Sequence, residues 1–369
     1  MSIHAARVRQ LPGFEPSEGK NLTVGLDIGF GYVKVVAGNG RWALFPSIVG
    51  EGRELHILSG FGSNDPMDNL VVDVDGRRYF VGNLALRETE AELDIDPDKI
   101  FNVDFEVLVY TALALVSDKP DQDVNIYLGL PINFYRTQKA RFEDKLRAHQ
   151  MSRFVKVLGQ DVRLIRIRNF EIFPQAGGAI FNQILDFRSE VRTPRLARGK
   201  IGIIDGGTKT TDCIYMEDLK FVDQRSFSVN DGGTHKILMD IRDFLMKNFD
   251  HYYPRLAEVD QMLRERKVEV KGKVYDITSV IDASASRVAR KIVREISAKW
   301  PNHMEFRAMI LVGGGGYVMH PFLKETFPDI LLVQDEFEGE AVAGDWNVIQ
   351  FANALGFLKL AVMRYGENK

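Results

Sequence analysis

The sequence predicts an α/β chain of two domains, each built from the same order of elements. Three observations carry that expectation. An apolar run ends in an acid and a glycine turn at Leu26-Asp27-Ile28-Gly29-Phe30-Gly31-Tyr32-Val33-Lys34, and again at Ile203-Ile204-Asp205-Gly206-Gly207-Thr208-Lys209-Thr210-Thr211-Asp212. Around each turn the order strand, turn, strand, hairpin and helix recurs, a duplication of topology although the residues barely repeat. A length of 369 residues exceeds one simple core and suits two domains of ordinary size.

The first turn sits between apolar runs at 22–26 and 32–37, and Gly38-Asn39-Gly40 supplies a hairpin turn before a strand at 42–45. This β-turn-β start differs from a dinucleotide-binding fingerprint, because Gly29-x-Gly31 has no third glycine in place. A second hairpin is expected at 70–74 and 77–81 around Asp75-Gly76. Helical spacing covers 105–117, and an apolar strand at 124–129 ends at Leu130-Pro131. Residues 138–150 form an amphipathic helical pattern. Strands at 155–157 and 162–167 read as a hairpin, and Phe173-Pro174 precedes a helix over 175–187. The stretch 190–200, with Pro194 and several basic residues, has linker composition.

The pattern then restarts. Strands are expected at 200–205, 211–216 and 221–226, and Asp231-Gly232-Gly233-Thr234 opens a helix. Helices follow at 256–265 and 281–300. A strand at 309–312 runs into Gly313-Gly314-Gly315-Gly316, and a last helix covers 348–364. The expected organisation is a flexible tail over 1–20, a first domain over 21–185 completed by 345–369, and a second domain over 186–344.

Composition excludes several classes. A hydrophobic fraction of 45% and a charged fraction of 27% describe an ordinary globular chain. A net charge of -3 gives no electrostatic case for direct nucleic-acid binding. The lone Cys213 excludes an intrachain disulfide and is compatible with a reducing cytosol. The most apolar stretch, 107–116, is far shorter than the ~20 residues of a spanning helix, and the N-terminus lacks a signal-peptide pattern. No membrane partner is expected. His235, His251, His303 and His320 are isolated, without metal spacing, and no Walker phosphate loop is present.

A strand that delivers an acid into a glycine turn brings bare backbone N–H groups onto phosphate oxygens, and the acid then holds an accompanying Mg²⁺ through waters. Two such turns could grip one nucleotide from opposite sides. Asp27 and Asp205 are the candidate metal residues. Alone, either is as well explained as a turn-initiating Asp before Gly, and the pairing favours the metal role. Gly29 and Gly31, with Phe30 and Tyr32 in the same turn, allow close approach. Lys34, seven positions after Asp27, can fold back to the phosphate chain. Out of that context it would be an exposed strand lysine. Four consecutive glycines at 313–316 are hard to explain by packing, since each costs backbone entropy, and would let the backbone lie against a base and its sugar.

On these residues the chain resembles the actin and heat-shock-chaperone ATPase superfamily, which implies a duplicated actin-like (ribonuclease H-like) fold with two domains flanking a nucleotide cleft. Five family motifs occur in order: a phosphate loop at 27–34, a hinge helix at 174–181, a second phosphate loop at 205–212, an adenosine loop at 312–316 and a second hinge helix at 350–356. Within the superfamily it is similar to bacterial actin-like proteins of the ParM type, which segregate plasmids. Phe45-Pro46-Ser47, Tyr79-Phe80-Val81-Gly82-Asn83-Leu84-Ala85, Leu128-Gly129-Leu130-Pro131 and Phe351-Ala352-Asn353 carry that similarity.

The resemblance implies ATP, or GTP, with Mg²⁺ as cofactors. Asp27 and Asp205 would face Mg²⁺ or its waters, and Gly206, Gly207, Thr208, Lys209 and Thr210 would line the second phosphate loop. The family's second glycine is replaced here by Thr208, and Lys209 either touches phosphate or faces solvent. Gly232, Gly233 and the helix carrying Lys236 would form the other wall of the base pocket. Gln175 aligns with the residue that orients the attacking water, which an amide does by positioning rather than by taking a proton. Asp212 would polarise that water or cap the loop. A helix N-terminal Gln after Pro174 is the plainer account of Gln175.

The implied function is a cytoplasmic ATPase that assembles head-to-tail into filaments with ATP-Mg, hydrolyses ATP after assembly, and moves plasmid DNA through a separate DNA-binding adaptor. Alternatives are a cell-shape bacterial actin homologue and a small-molecule kinase on the same fold, for which Asp104 and Asp123 are the vaguely suitable acids. A chaperone is disfavoured because the chain stops at Lys369, directly after the second hinge helix.

Overall fold

The first acid–glycine turn closes a hairpin between strands Leu22–Ile28 and Tyr32–Ala37 in the computed structural model, which describes residues 9–10, 21–55, 66–92, 101–148, 151–157, 159–333 and 350–366. That hairpin belongs to a sheet running Arg9–Gln10, Arg41–Pro46, Tyr32–Ala37, Leu22–Ile28, Asp121–Leu130, Arg163–Pro174, Ser152–Val157, Val71–Val74, Arg77–Val81 and Val49–Glu51. Its centre is parallel: Leu22–Ile28 pairs with Asp121–Leu130, and that strand with Arg163–Pro174. Central strands covered on both faces read as apolar runs, and Val24, Leu26, Val124, Ile126, Leu128 and Ile165 are all essentially inaccessible.

The helix Val103–Val116 packs on this sheet and is buried nearly all round, with Asn102 Oδ1 accepting the Phe105 N–H at 2.9 Å as its N-cap. The most apolar stretch of the sequence is therefore a core helix, and no described helix is long and apolar enough to cross a membrane. The final helix, Ala352–Tyr365, lies directly on the strand Leu22–Ile28. A Cβ on Gly25 would come within 2.1 Å of Ala354 O and 2.4 Å of Leu358 N. The same helix crosses Gly178–Ile184 at two glycines, where a Cβ on Gly356 would stand 1.8 Å from Gly178 O.

The second sheet runs Lys220–Phe221, Thr210–Glu217, Lys200–Gly206, Ala308–Val312 and Leu331–Leu332, with Phe227–Asn230 also pairing to Thr210–Glu217. Helices Thr234–Asn248, Thr278–Lys299 and Gly313–Lys324 accompany it. Its core centres on Trp300, fully buried, with Tyr215, Phe227 and Phe306 packed around the indole and Trp300 Nε1 donating to Arg225 O at 2.7 Å.

The described residues through Thr193, with those from Phe351 onward, make one compact unit, and those from Pro194 through Val333, with Gln350, make the other.

Several expected elements differ. The strand expected at 221–226 is interrupted by a 3₁₀ turn at Asp223–Arg225, because Ser226 Oγ donates to Val222 O and accepts the Tyr215 N–H, both at 2.9 Å, replacing ladder bonds. The helix expected over 175–187 stops at Ile184. There Asp186 Oδ1 accepts the N–H groups of Arg188 and Glu190 at 2.9 and 2.8 Å, offering the backbone a turn instead. The helix expected from 138 begins at Ile132, straight after Pro131. Helix Asn83–Glu88 and the ribbon Lys267–Val270 with Lys273–Asp276 were not foreseen; the ribbon turns on Lys271 and Gly272, both at positive φ. Within the expected tail, Arg9 and Gln10 pair with Trp42 and Arg41. The rest of 1–20, the helix end at 149–150 and the helix start at 348–349 lie outside the described residues.

Candidate functional site

Asp27 is the penultimate residue of its strand and stands directly across the hairpin from Lys34. The acid is 1% exposed, and Lys34 Nζ lies 3.2 Å from Asp27 Oδ2. The ammonium also stands over the turn, 3.2 Å from where a Cβ on Gly29 would be, so it is no exposed strand lysine. Burial pushes the Asp27 carboxyl up from its ordinary value, while the charge and hydrogen bond of Lys34, and the Asn353 side chain, pull the other way. Asp27 Oδ1 remains buried without a hydrogen-bond partner. Gly29 N–H donates to Tyr32 O at 3.1 Å, Gly31 O accepts from Ser47 N at 2.9 Å, and Phe30 packs edge-on to Phe134.

Three parallel strands end together at this turn. Asp27 is in register with Gly129, and Pro174 with Leu130, so Gln175 follows at the carboxyl edge two strands from Asp27, about 10 Å away at ordinary strand spacing. The carboxyl edge of a parallel sheet is where α/β folds place ligands. Gln175 is half-buried and opens the 3₁₀ turn Gln175–Gly177. Asn353 enters from the final helix, where its Oδ1 accepts the Ala179 N–H at 3.1 Å. Sequence reasoning noted Phe351-Ala352-Asn353 as a motif but gave Asn353 no role. Its signal was an amide in a helix that the carboxylate strand packs against. Asp123, by contrast, lies six residues before Gly129 on its strand, about 20 Å back from the edge. Burial raises its carboxyl, but hydrogen bonds from Arg168 and Arg166 outweigh that and hold it below its ordinary value. Asp104 sits in the first turn of Val103–Val116.

The second hairpin repeats the register. Asp205 stands directly across from Asp212, and both are buried, at 7% and 6% exposure. Directly opposed residues of an antiparallel pair share one face, so two carboxylates face the same way. Ser228 Oγ donates to Asp212 Oδ1 at 2.6 Å, with Thr210 Oγ1 at 3.4 Å. Ser228 had no sequence signal, since its strand was not foreseen in that place. Gly207 N–H closes the turn on Thr210 O at 3.0 Å. Gly207 O and Thr208 O accept the first helical N–H groups, from Thr234 at 3.1 Å and His235 at 2.7 Å. Gly233 is needed for this contact, because its Cβ would stand 2.2 Å from Thr208 O, and Gly232 O takes the Thr211 hydroxyl at 2.7 Å. Thr208 and Lys209 lie half-buried in the turn, whereas Lys236 is engaged with Asp240 at 2.6 Å.

The four glycines expected as a loop form the first turn of the helix Gly313–Lys324. They are small because the second turn packs into them: a Cβ on Gly313 would meet Asp205 Oδ1 at 2.5 Å, one on Gly315 would meet Gly206 O at 2.7 Å, and one on Gly206 would meet Gly316 N at 2.2 Å. Gly313 also adopts φ 82°, which only glycine takes without strain. Gly314 alone has space, with Gln350 Nε2 next at 3.6 Å, and that amide nitrogen is buried without a hydrogen-bond partner.

These residues fit a magnesium-bound phosphate chain. The carboxylates of Asp205 and Asp212, both buried and directly opposed, are the acids this hairpin offers toward a cation. Among the described residues no group of three or more His, Cys, Asp or Glu side chains could hold a metal ion. One or two carboxylates suit a hard cation that keeps most of its waters. Gln350 Nε2 adds an unpartnered buried donor in this unit, and in the other unit Asp27 Oδ1 is an unpartnered buried acceptor.

The two sheets, the repeated acid–glycine hairpin and the glycine-opened helix define a two-domain actin-like α/β fold. Residues 25–178 match the family model of the actin-like proteins' N-terminal domain, and residues 203–325 that of the archaeal MreB-like actin homologues' C-terminal domain. The chain belongs to the actin-like proteins. No curated protein matches the sequence. Among solved structures it is similar to a ParM from a 15-stranded filament of Clostridium botulinum, with TM-score 0.77 and 24% identity over 93% of this chain and 99% of that one. The archaeal actin homologue Ta0583 in complex with ADP gives TM-score 0.73 at 21% identity, again over 93% and 99%. The Bacillus thuringiensis ParM with AMPPNP gives 0.66 at 16%, with the same coverage.

Proposed function

We propose that the chain is a cytoskeletal ATPase whose two acid–glycine hairpins share one nucleoside triphosphate, and that nucleotide-bound subunits assemble head-to-tail into filaments and hydrolyse ATP after assembly. The observation that carries this is the repeated register, Asp27 opposite Lys34 in one unit and Asp205 opposite Asp212 in the other. One design used once is a turn. Used twice, at the ends of central strands, it is a pair of phosphate grips.

Mg²⁺, when bound, neutralises the phosphate charge and orders its oxygens. Asp27 and Asp205 are the carboxylates that would hold it, through its waters. Lys34 places its ammonium over the Gly29 turn, where phosphate oxygens meet backbone N–H groups. Gln175, at the same strand edge as Asp27, orients the attacking water, and Asp212 polarises it. Gly314, with the Gln350 amide beside it, offers backbone to the base and sugar.

Likeness to ParM supports a filament and, as cargo, plasmid DNA held through a DNA-binding adaptor in the cytoplasm. The kinase alternative loses support from Asp123, which is committed to two arginines and lies about 20 Å from the strand edge.

The test combines binding of a fluorescent ATP analogue, phosphate release, and right-angle light scattering with sedimentation. ATP, GTP, ADP and a slowly hydrolysed analogue should separate binding preference from assembly. Nucleotide-dependent scattering with phosphate release is the expected result. A chain that stays monomeric at high concentration and passes phosphate to an added acceptor would replace this reading with the kinase.

A further inference from the structure

The final helix covers one face of the first sheet at its carboxyl edge. Side chains two apart on a strand share a face, so Gly25 and Asp27 point the same way. A Cβ on Gly25 would stand 2.1 Å from Ala354 O and 2.4 Å from Leu358 N, so that face is the one under Ala352–Tyr365. Beside Asp27 in register is Gly129, whose Cβ would meet Phe357 Cε2 at 2.6 Å and Gln175 Cα at 3.0 Å. Asn353 lies about one helical turn before Phe357 and shares its side of the helix.

The Asn353 side chain is 4% exposed and meets two groups of opposite character. Its Oδ1 accepts the Ala179 N–H at 3.1 Å. That N–H belongs to the first turn of Gly178–Ile184, which directly continues the turn Gln175–Gly177 and has no side-chain cap at its own N-cap residue. The same side chain is a hydrogen-bond partner of the Asp27 carboxyl, whose Oδ1 still lacks a partner. A backbone N–H only donates and a carboxylate only accepts, so the group between them has to do both. An amide does, whereas a carboxylate fails at one end and a hydrocarbon at both. The backbone of Asn353 is fixed as well, since a Cβ on Gly178 would lie 2.6 Å from its O and 2.9 Å from its Cα.

We propose that Asn353 is a positioning residue for nucleotide hydrolysis, its amide tying the Asp27 carboxyl to the start of the helix that follows Gln175. The proposal rests on the reading of Asp27 and Gln175 given above and adds to it the residue that joins them. A carboxyl held at one orientation presents its oxygens to a hydrated cation in one way, and a fixed helix start keeps Gln175 at one distance from it.

Two readouts on the full chain test it. Asn353→Leu keeps the volume and removes both hydrogen bonds. The Mg²⁺ concentration for half-maximal phosphate release should rise about tenfold and the maximal rate should fall about tenfold. Affinity for the fluorescent ATP analogue in EDTA should stay within about twofold of wild type, whereas a purely structural role would weaken binding with and without Mg²⁺ alike. The second readout needs neither nucleotide nor metal. Asn353→Asp sets a second carboxylate against Asp27 and should lower the melting temperature at neutral pH. In the Asp27→Asn background the same substitution restores one amide facing one carboxylate, with the Ala179 N–H still accepted, so the drop should be much smaller. Phosphate release should not return in that double variant, because the carboxylate has moved. Equal drops in the two backgrounds, or an unchanged Mg²⁺ requirement in the Leu variant, would each overturn the proposal while wild type still hydrolyses ATP. A wild type without Mg²⁺-dependent binding of the analogue would instead sink the nucleotide reading, and this proposal with it.

Discussion

Asp212 lies directly across its hairpin from Asp205, at the register position that Lys34 holds opposite Asp27 in the other unit. The backbone design is the same in both hairpins and the charge is not. The first hairpin pairs its acid with a lysine, whereas the second sets two buried acids on one face, with the Ser228 and Thr210 hydroxyls on Asp212. The same register position thus carries a lysine in one unit and a second acid in the other.

Removing one acid of the second pair should therefore separate stability from activity. Asp212→Asn keeps an oxygen for Ser228 and relieves the repulsion, so thermal stability without Mg²⁺ should be unchanged or higher. Phosphate release should fall by at least about tenfold, as expected for loss of a polarising group, and Asp205→Ala should abolish it. Equal stabilisation by Mg²⁺ and nucleotide in wild type and the Asn variant, read by scanning fluorimetry, would remove Asp212 from the site.

The first hairpin makes the opposite prediction. Lys34 is 11% and Asp27 2% exposed in their side chains, so Lys34→Met strands a buried carboxylate. Breaking a buried pair from one side costs about 3–5 kcal/mol, and neutralising both partners recovers much of that. Urea denaturation of K34M, D27N and the double variant should show the double variant clearly more stable than K34M. Additive losses would mean that the two side chains act separately.

Packing at the helix crossing gives a third test. Gly356→Ala places a methyl 1.8 Å from Gly178 O, a backbone atom that moves only if the helix moves. Overpacking of this kind costs about 1–3 kcal/mol or more. A melting temperature equal to wild type would show that the crossing is looser than its glycines imply.

The two acid–glycine hairpins were legible in the sequence because apolar runs that stop at Asp-x-Gly or Asp-Gly are local signals, whereas the parallel pairing at the centre of the first sheet, made between distant strands, was not. Elements that were misplaced depended on side chains standing in for backbone. Ser226 interrupts a strand and Asp186 ends a helix, and neither effect shows in periodicity. The 313–316 glycines were legible as a close approach, but what approaches them is the chain's own Gly206, so they open a helix rather than a loop. Asn353 and Gln350 could be placed only once the final helix was seen against the first sheet and Gln350 beside Gly314. Sites assembled over long sequence separations leave that kind of gap.

Acid should loosen the second unit at one defined place. Burial works against ionisation of Asp240, but hydrogen bonds from Lys236, Ser284 and Arg287 outweigh it and hold the carboxyl down to about 2, from an ordinary 3.8. A folded-state value below the unfolded one gives stability that is full above about pH 4 and is lost as pH falls through about 2. Both basic partners are more than half exposed, so screening reduces the contribution to about 1 kcal/mol. Asp240→Asn should flatten that part of the stability profile between pH 4 and 2 relative to wild type, and identical slopes in the two proteins would refute the assignment.

Gln175 has the most specific consequence. It begins at the strand edge that carries Asp27, half-buried, with its Cα 3.0 Å from where a Cβ on Gly129 would lie, so its backbone position is fixed by the sheet. An amide there can orient a water and cannot deprotonate it, so turnover without it should be slowed rather than lost. Gln175→Ala should lower phosphate release about tenfold to a hundredfold while nucleotide binding and ATP-dependent sedimentation persist, and under the proposed cycle, in which hydrolysis ends the polymer, polymers should last longer. Gln175→Glu tests the alternative role, since a carboxylate that acts as a base would make the rate rise with pH through its titration. Full-rate hydrolysis by the Ala variant would leave Gln175 as the opening residue of a 3₁₀ turn and move the search for the water-orienting group to Asp212.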